Sequence, residues 1–423
     1  MGYISKEEFT SVINSNFTFE KNPHIGLSIS GGPDSMALLM LVRDWIISKS
    51  GKITVFHFDH KIRKNSSKEA SWLKTYVSKL GIKFYLFSWD KDEKLALNMK
   101  NAREARYEKI LKISNKLKII HLMTAHHSDD NLETYYMRKK RKSSTLGLSS
   151  IPKILIKENL QIIRPLLSFR KDRLISTCNF FNLKWIEDSS NLDFRYERPR
   201  VRYELGKKTT GQLMKIEKEF KKSKKCNEEI EKKIRNFLMY NLIFSEYGVF
   251  QIDKIKFLKC SNELKIEILK KILTTASGKI FPPREVSVQN LIKFIQLNQC
   301  FRYTLHSCLL EVNSEKISVF REISSIKEGK KIIPKGNPYL WDNRFFLYSK
   351  KFKIECGRIT NENWIFLKEY FSLKKNHLNF FILSSLPLIK INSKFFIPFL
   401  SLRDLDFDCY FKPTIPITRK NYF

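Results

Sequence analysis

The chain has 423 residues, 42% of them apolar, and a formal net charge of +35. Such a length exceeds one ordinary core and implies two or three domains, and such a charge implies a polyanionic partner, although A+T-rich coding, which favours Lys, Ile, Asn and Phe, contributes to it. The seven scattered cysteines contain no CxxC pair, which argues against a disulfide framework and thiolate-held zinc or iron–sulfur centres, and no signal-peptide core or membrane-length apolar window is present, so a soluble, cytoplasmic protein is expected.

In chain order, the first informative stretch is HIGLSISGGPDSMALLM from His24. Ile25, Leu27 and Ile29 read as a strand, the apolar series from Met36 to Val42 reads as a helix, and Ser30-Gly31-Gly32-Pro33-Asp34-Ser35 lies between them. The glycines permit a bend with positive φ and a close approach of amide groups to a ligand, while Pro33 is pre-set for a first helical turn. Unpaired amides at a helix N-terminus attract phosphate. Ser30 and Ser35 add hydroxyls, and Asp34 adds a carboxylate able to hold Mg²⁺ beside the phosphate. No lysine follows the glycines, so this is not a GxxxxGK[ST] loop.

Lys52 to Asp59 reads as a second strand, and Ser66 with Glu69 as a capping box before a helix whose buried stripe is Ala70, Leu73, Val77 and Leu80, stopped by Gly81. Phe84 to Phe87 reads as a strand, Asn98 to Ile113 as a helix and Ile119 to Ala125 as a fourth strand. Alternating strands and helices predict an α/β, doubly wound, mostly parallel sheet, whose ligands sit at the carboxyl ends of the strands. The clusters SGGPDS, FDHKIR and AHHSDD all fall there, so His57, Asp59 and His60 are expected beside the bound phosphate ligand together with residues 30 to 35.

After the fourth strand, Asp130 and Glu133 are three apart on one helical face with His126 a turn earlier, a carboxylate pair suited to Mg²⁺ or a substrate amine; ordinary helix-start chemistry is the alternative. Arg103 and Arg106 in AREARY offer guanidinium forks for phosphate or carboxylate. The basic run Arg138-Lys139-Lys140-Arg141-Lys142, and Arg195, Arg198, Arg200 and Arg202 alternating with Phe194 and Tyr196, mix charge and aromatic rings as RNA contacts do. Trp185 and Ile186 read as core.

From Gly206 the texture becomes basic and helical, then mixed, which predicts a mainly helical middle domain over 206–324 after a catalytic domain over 1–205. Ser325 to Pro338 reads as a linker, and 339–423 as a small β-rich or α+β domain.

SGGPDS resembles the SGGxDS loop of the PP-loop ATP pyrophosphatases, which belong to the adenine nucleotide alpha hydrolase-like fold. With FDHKIR, SSKEA, AREARY, AHHSDDNLET, IRPLLSFRKDRL, WIEDSSNLDFRYERPRVR, FPPREV and YTLHSCLLEV in order, about three quarters of the chain resembles the bacterial tRNA(Ile)-lysidine synthetases. Three positions depart from the family pattern: Arg141-Lys142-Ser143-Ser144 stands where a glycine-rich turn is usual, Lys61 where a glycine is usual, and Pro199 where an asparagine is usual.

The resemblance implies ATP-dependent adenylation of the wobble cytidine C2 oxygen in a CAU-anticodon tRNA(Ile). The side-chain amine of free L-lysine then attacks C2 and expels AMP, giving lysidine. It implies catalytic roles for Asp34, Arg106, Asp130 and Glu133, with Asp130 orienting the amine and taking its proton and Glu133 assisting. The alternatives are a PP-loop tRNA thiolase and a non-catalytic RNA-binding protein with a vestigial nucleotide loop. No stable protein partner is inferred, and a homodimer is compatible with the sequence.

Overall fold

In the computed structural model, two compact units span Met1–Asn227 and Glu228–Asn421. The structure describes all residues except 1, 60, 62–64, 89–98, 142–145, 149–150, 158, 188–192, 372–379, 399, 401–406 and 419–423, and it describes no side chains for 99–105 and 146.

In the first unit the elements are α1 (Lys6–Asn16), β1 (His24–Ser28), α2 (Pro33–Ile47), β2 (Lys52–Asp59), α3 (Ser66–Lys79), β3 (Lys83–Ser88), α4 (Met99–Lys116), β4 (His121–Thr124), α5 (Ser128–Lys140), β5 (Ile154–Lys157), β6 (Leu160–Ile163), α6 (Lys171–Phe180), α7 (Glu197–Gly206) and the start of α8 (Thr210–Asn241). The six-stranded sheet has the order β3-β2-β1-β4-β6-β5. All neighbours run parallel except the edge pair β5 and β6. Strands buried on both faces need continuous apolar runs, and Ile25, Leu27, Val55, Phe56, Leu122 and Met123 supply them. β5 and β6, which the sequence reading did not identify, are four residues each and carry too little pattern to stand out.

The strand order reverses between β1 and β4, the position where an open parallel sheet leaves a crevice at its carboxyl edge. The loops leaving these two strands are 29–32 and 125–127, so the glycine turn and the histidine-acid cluster flank one crevice. Helix α2 is buried almost throughout, from Ser35 to Val42 and at Trp45 and Ile46, and this rigid packing fixes its N-terminus.

One local expectation changes. Helix α3 begins at Ser66 with Asn65 as its N-cap and no side-chain cap bond, so the Ser66–Glu69 capping box does not form. Ser66 and Ser67 turn instead to Asp59, whose carboxylate also accepts from Lys61 N at 2.8 Å. Lys61 has φ +50°, which explains why a glycine suits this position. A left-handed side chain costs about 1–2 kcal/mol, offset partly by glycine's greater unfolded freedom. Lys61→Gly is therefore expected to stabilise the chain by up to about 1 kcal/mol, read as a higher urea midpoint. An unchanged midpoint would mean that the turn carries no strain.

The second unit contains the end of α8, then β7 (Leu242–Phe244), β8 (Phe250–Asp253), α9 (Lys254–Leu258), α10 (Asn262–Ser277), α11 (Glu285–Leu297), β9 (Phe301–Leu305), β10 (Cys308–Val312), β11 (Lys316–Arg321), β12 (Lys331–Ile333), β13 (Tyr339–Trp341), β14 (Phe345–Ser349), β15 (Ile354–Arg358), α12 (Asn361–Tyr370), α13 (Phe380–Leu383), β16 (Pro387–Ile391), β17 (Lys394–Phe396) and β18 (Phe407–Phe411). Alongside its helices, the middle part holds a five-stranded antiparallel sheet, β7-β8-β11-β10-β9. The stretch read as a linker carries β12, which pairs with β15 in a four-stranded sheet. Arg321 and Arg344 both grip Asp342 in the buried interior of this unit. Gly278, at φ +69°, lets the Asp342 carbonyl approach to where a Cβ would be only 2.7 Å away.

Candidate active site

The glycine turn is knotted around one buried hydroxyl. Ser35 Oγ accepts from the amides of Ser30 at 3.2 Å and Gly31 at 3.1 Å and donates to the Gly32 carbonyl at 2.9 Å. Ser35 was expected to face a phosphate; its hydrogen bonds instead hold the loop closed on itself, and Ser30 Oγ donates to it at 3.3 Å. Pro33, the first residue of α2, has no amide proton, Gly32 is the N-cap with no side-chain cap, and the amides of Ser35 and Met36 donate to the Gly32 carbonyl at 3.1 and 3.0 Å, which leaves the Asp34 amide without a partner in the helix.

Gly31 has φ +91°, and a Cβ there would lie 2.4 Å from Ile186 Cδ1. Ile186 also donates its amide to the Gly31 carbonyl at 2.9 Å, so the segment read as core braces the turn.

Asp34 projects from the first turn of α2. Its Oδ1 is buried without a hydrogen-bond partner, and its Oδ2 lies 3.7 Å from His127 Nε2. Burial raises its pKa above the ordinary carboxylate value.

His127, the N-cap of α5 and almost fully buried, lies at the centre of the acidic cluster, where the sequence pattern pointed to His126. Three carboxylates surround it: Asp34 and Asp130 each lie 3.7 Å from Nε2, and Asp129 lies 3.3 Å from Nδ1. Burial alone would lower its pKa, but the Asp129 contact and the charges of Asp130 and Asp34 outweigh it and hold the imidazole above its ordinary value. The overlooked signal was its place as the N-cap of an acidic first turn. His126, by contrast, contacts Thr124 Oγ1 at 2.9 Å.

Asp129 accepts from Lys171 N at 2.9 Å, and despite burial this bond and His127 push its pKa down to about 2. Asp130 and Glu133 do share a face and are 7% and 5% exposed. Asp130 accepts from the His127 amide at 3.1 Å. Burial opposes its ionisation, but His127, His126 and Arg198 overcome this and hold its pKa below normal. Glu133 shifts the other way: burial raises its pKa, only partly opposed by Arg202, whose Nε sits 2.5 Å from Oε1. Glu133 Oε2 is buried without a hydrogen bond.

Several residues expected at RNA are engaged with acids of the same unit. Arg202 Nη2 is 3.6 Å from Asp130 Oδ1, and Arg198 lies 3.9 Å from both Asp130 and Glu133. Lys139 pairs with Glu219, Lys140 with Glu204 and Arg141 with Glu197. Arg195 chelates Asp193 and is largely exposed, Arg200 is exposed, and Arg138 is half-buried with its pKa lowered by burial. The exposed pairs, Lys139–Glu219, Lys140–Glu204 and Arg195–Asp193, contribute little and are screened by salt.

His57 donates its Nδ1–H to the Ile29 carbonyl, 2.8 Å away, and burial lowers its pKa, so it ties the ends of β1 and β2 together as a neutral ring. Asp59, held below its ordinary pKa against the effect of burial by Lys61 N, Ser66 and Ser67, closes the neighbouring turn. Arg106 lies over the Tyr107 ring with its Nε buried and unpartnered. His60 and Lys142 lie outside the described residues, as does the Arg103 side chain. Pro199 sits in the first turn of α7, where a missing amide proton costs no helical bond.

Among the described residues no group of three or more His, Cys, Asp or Glu has the geometry of a metal site, and no helix is long and apolar enough to cross a membrane.

The PP-loop domain family matches residues 3–209. The tRNA(Ile)-lysidine synthase of Rickettsia bellii (strain RML369-C) is 33% identical over 398 residues, covering 90% of this chain and 90% of that protein. The tRNA(Ile)-lysidine synthase of Rickettsia typhi is 31% identical over 435 residues, covering 99% of each. Among solved structures, the U34-tRNA thiolase NcsA from Methanococcus maripaludis with its [4Fe-4S] cluster superposes with a TM-score of 0.42 at 18% identity, covering 51% of this chain and 78% of that one.

Proposed function

The chain belongs to the tRNA(Ile)-lysidine synthase family, and we propose that its crevice adenylates a wobble cytidine and then delivers a lysine amine to it. It is a PP-loop ligase that forms lysidine on tRNA. The observation that carries the finer reading is the buried pair Asp130 and Glu133, joined through His127 to Asp34 of the glycine loop.

Adenylation is needed because an amide-like oxygen is a poor leaving group and AMP is a good one. The N-terminus of α2, with the Asp34 amide and the positive end of the helix dipole, receives the departing pyrophosphate on a helix end that close packing holds still. Asp34 Oδ1, buried and unpartnered, suits a hard cation, and Mg²⁺ held there would supply neutralisation of phosphate charge. His127 holds Asp34 and Asp130 near one another and keeps Asp130 ionised.

The second step needs a neutral amine. With an ordinary pKa of ~10.4, only about one lysine in a few thousand is neutral at pH 7. The opposite pKa shifts divide the work between the two carboxylates. Asp130, which stays ionised, anchors the ammonium; Glu133, with a raised pKa and a free oxygen, takes its proton. This reverses the order expected from the sequence. Arg106 has no described contact with this pair, and its role rests on the family motif alone.

A thiolase would need a reactive thiol near the nucleotide. The nearest in sequence, Cys178, is buried behind the loop, donates to the Pro33 carbonyl and has its pKa pushed up to about 12 by burial. Incubation with CAU-anticodon tRNA(Ile), ATP and L-lysine, followed by mass analysis of the anticodon nucleoside, is expected to show a gain equal to lysine less water. A sulfur-sized gain, or none, would overturn the reading.

A further inference from the structure

We propose that Lys171, at the first position of α6, is the cation that grips the departing pyrophosphate, supplying the charge that the glycine loop lacks; this rests on the reading that the N-terminus of α2 receives that pyrophosphate. The loop itself has little left to give. The amides of Ser30 and Gly31 are spent on Ser35 Oγ, that of Gly32 on Ser30 Oγ at 3.4 Å, and those of Ser35 and Met36 on the Gly32 carbonyl. Pro33 has no amide proton, so the Asp34 amide is what remains. The helix dipole adds about half a charge. Pyrophosphate carries several negative charges, and the charged side chain of the turn, Asp34, is itself an acid. A cation must come from elsewhere in the fold.

A chain of contacts brings Lys171 to this place. Its backbone amide donates to Asp129 Oδ2 at 2.9 Å, the same oxygen lies 3.3 Å from His127 Nδ1, and His127 Nε2 lies 3.7 Å from Asp34 Oδ2. Two turns further along α6, Cys178 Sγ donates to the Pro33 carbonyl at 3.2 Å, so α6 lies against the first turn of α2. The side chain acts in the same direction. Burial raises the Asp34 pKa, and after His127 it is the charge of Lys171 that opposes this most.

Lys171 is also uncommitted, which its basic neighbours are not. Arg170 lies 3.7 Å from Glu217, Arg173 chelates Glu8 with two bonds of 2.7 Å, and Arg198 and Arg202 are held by Asp130 and Glu133. Among the described residues the Lys171 ammonium takes no hydrogen bond or ion pair, although its residue is half-buried. A charge that has given up part of its hydration without a partner favours an arriving anion. In the step it serves, the cytidine oxygen bonds to the α-phosphorus and the bond from that phosphorus to the bridging oxygen breaks, its electron pair leaving with pyrophosphate. The ammonium stabilises the negative charge growing on that leaving group and transfers no proton.

The test is equilibrium dialysis of the full-length protein, with magnesium, against radiolabelled pyrophosphate, ATP and AMP in turn. Lys171→Met is expected to weaken pyrophosphate and ATP binding by about ten- to hundredfold, the usual cost of one charge-assisted contact, and to leave AMP, which lacks the outer phosphates, nearly unaffected. Lys171→Arg keeps the charge and should recover most of the loss. Every variant at this position retains the backbone amide that Asp129 accepts, so a merely structural role would move AMP and ATP together. Unchanged pyrophosphate affinity in Lys171→Met, or an equal loss for AMP, would overturn the proposal. If circular dichroism shows that the Met variant is unfolded, Lys171→Gln is read against the same outcomes. Gly31→Ala separates the two ideas. If neither it nor Lys171→Met alters pyrophosphate binding, the outer phosphates bind elsewhere and the underlying reading fails. If Gly31→Ala weakens that binding while Lys171→Met does not, the reading stands and the role of Lys171 is refuted.

Discussion

Gly31→Ala is expected to reduce tRNA-dependent AMP formation by about 10²-fold or more while leaving the chain folded. Two independent costs fall on one atom. The backbone there is at φ +91°, and the new methyl group would stand 2.4 Å from Ile186 Cδ1 and 3.3 Å from its Cγ1. Left-handed backbone costs about 1–2 kcal/mol for a residue with a Cβ, and overpacking costs a further ~1–3 kcal/mol. The Ile186 amide is bonded to the Gly31 carbonyl, which keeps its backbone against the turn, so the methyl contact is relieved by rotating the Ile186 side chain while the positive-φ strain stays in the loop and shifts it. Adding Ile186→Ala removes the contact but not the strain, so about tenfold of the loss should return. Pyrophosphate release assayed with tRNA and ATP measures both variants. Undiminished turnover in Gly31→Ala would show that the turn does not position the nucleotide.

Removing the proposed proton acceptor, Glu133, should separate the two half-reactions. Glu133→Gln is expected to slow lysine transfer by about 10²–10⁴-fold, the usual range for loss of a positioned base, while adenylated tRNA still accumulates. Asp130→Asn should act chiefly on the concentration of lysine required, since its carboxylate is the one held ionised. The pH dependence has a definite sign. Glu133 can accept a proton only above its raised pKa, so lysine transfer falls as pH drops through that value, and the limb disappears in Glu133→Gln. Quantifying the adenylated and lysidine nucleosides by chromatography over a pH series distinguishes these outcomes. Equal loss of adenylation and transfer in both variants would assign the pair to the nucleotide instead.

Much of the first unit was legible residue by residue. β2 runs over Lys52–Asp59, the bounds read from the sequence, and Pro33 opens α2 because its fixed φ suits a first turn. Glu133 and Asp130 fall on one face because three residues make nearly one helical turn. β5 and β6 were missed for want of length, and the Ser66 cap failed because its hydroxyl had a better partner in the charged Asp59 carboxylate. The stretch 325–338 read as a linker because Lys, Gly and Pro mark exposed backbone, yet pairing with β15 recruits part of it.

The sequence alone determined the class of chemistry: a glycine-opened strand-to-helix turn, an acidic helix start and a family pattern are local properties, carried by residues adjacent in the chain. Only the tertiary structure decided which partner each charged group takes. Ser35 turned inward, His127 displaced His126 at the centre of the acids, and Arg198 and Arg202 faced carboxylates of another helix. The physical reason is that hydrogen bonds and ion pairs depend on separation in space and on burial. Residues 31 and 186, or 133 and 202, become neighbours only when the sheet and its helices have packed.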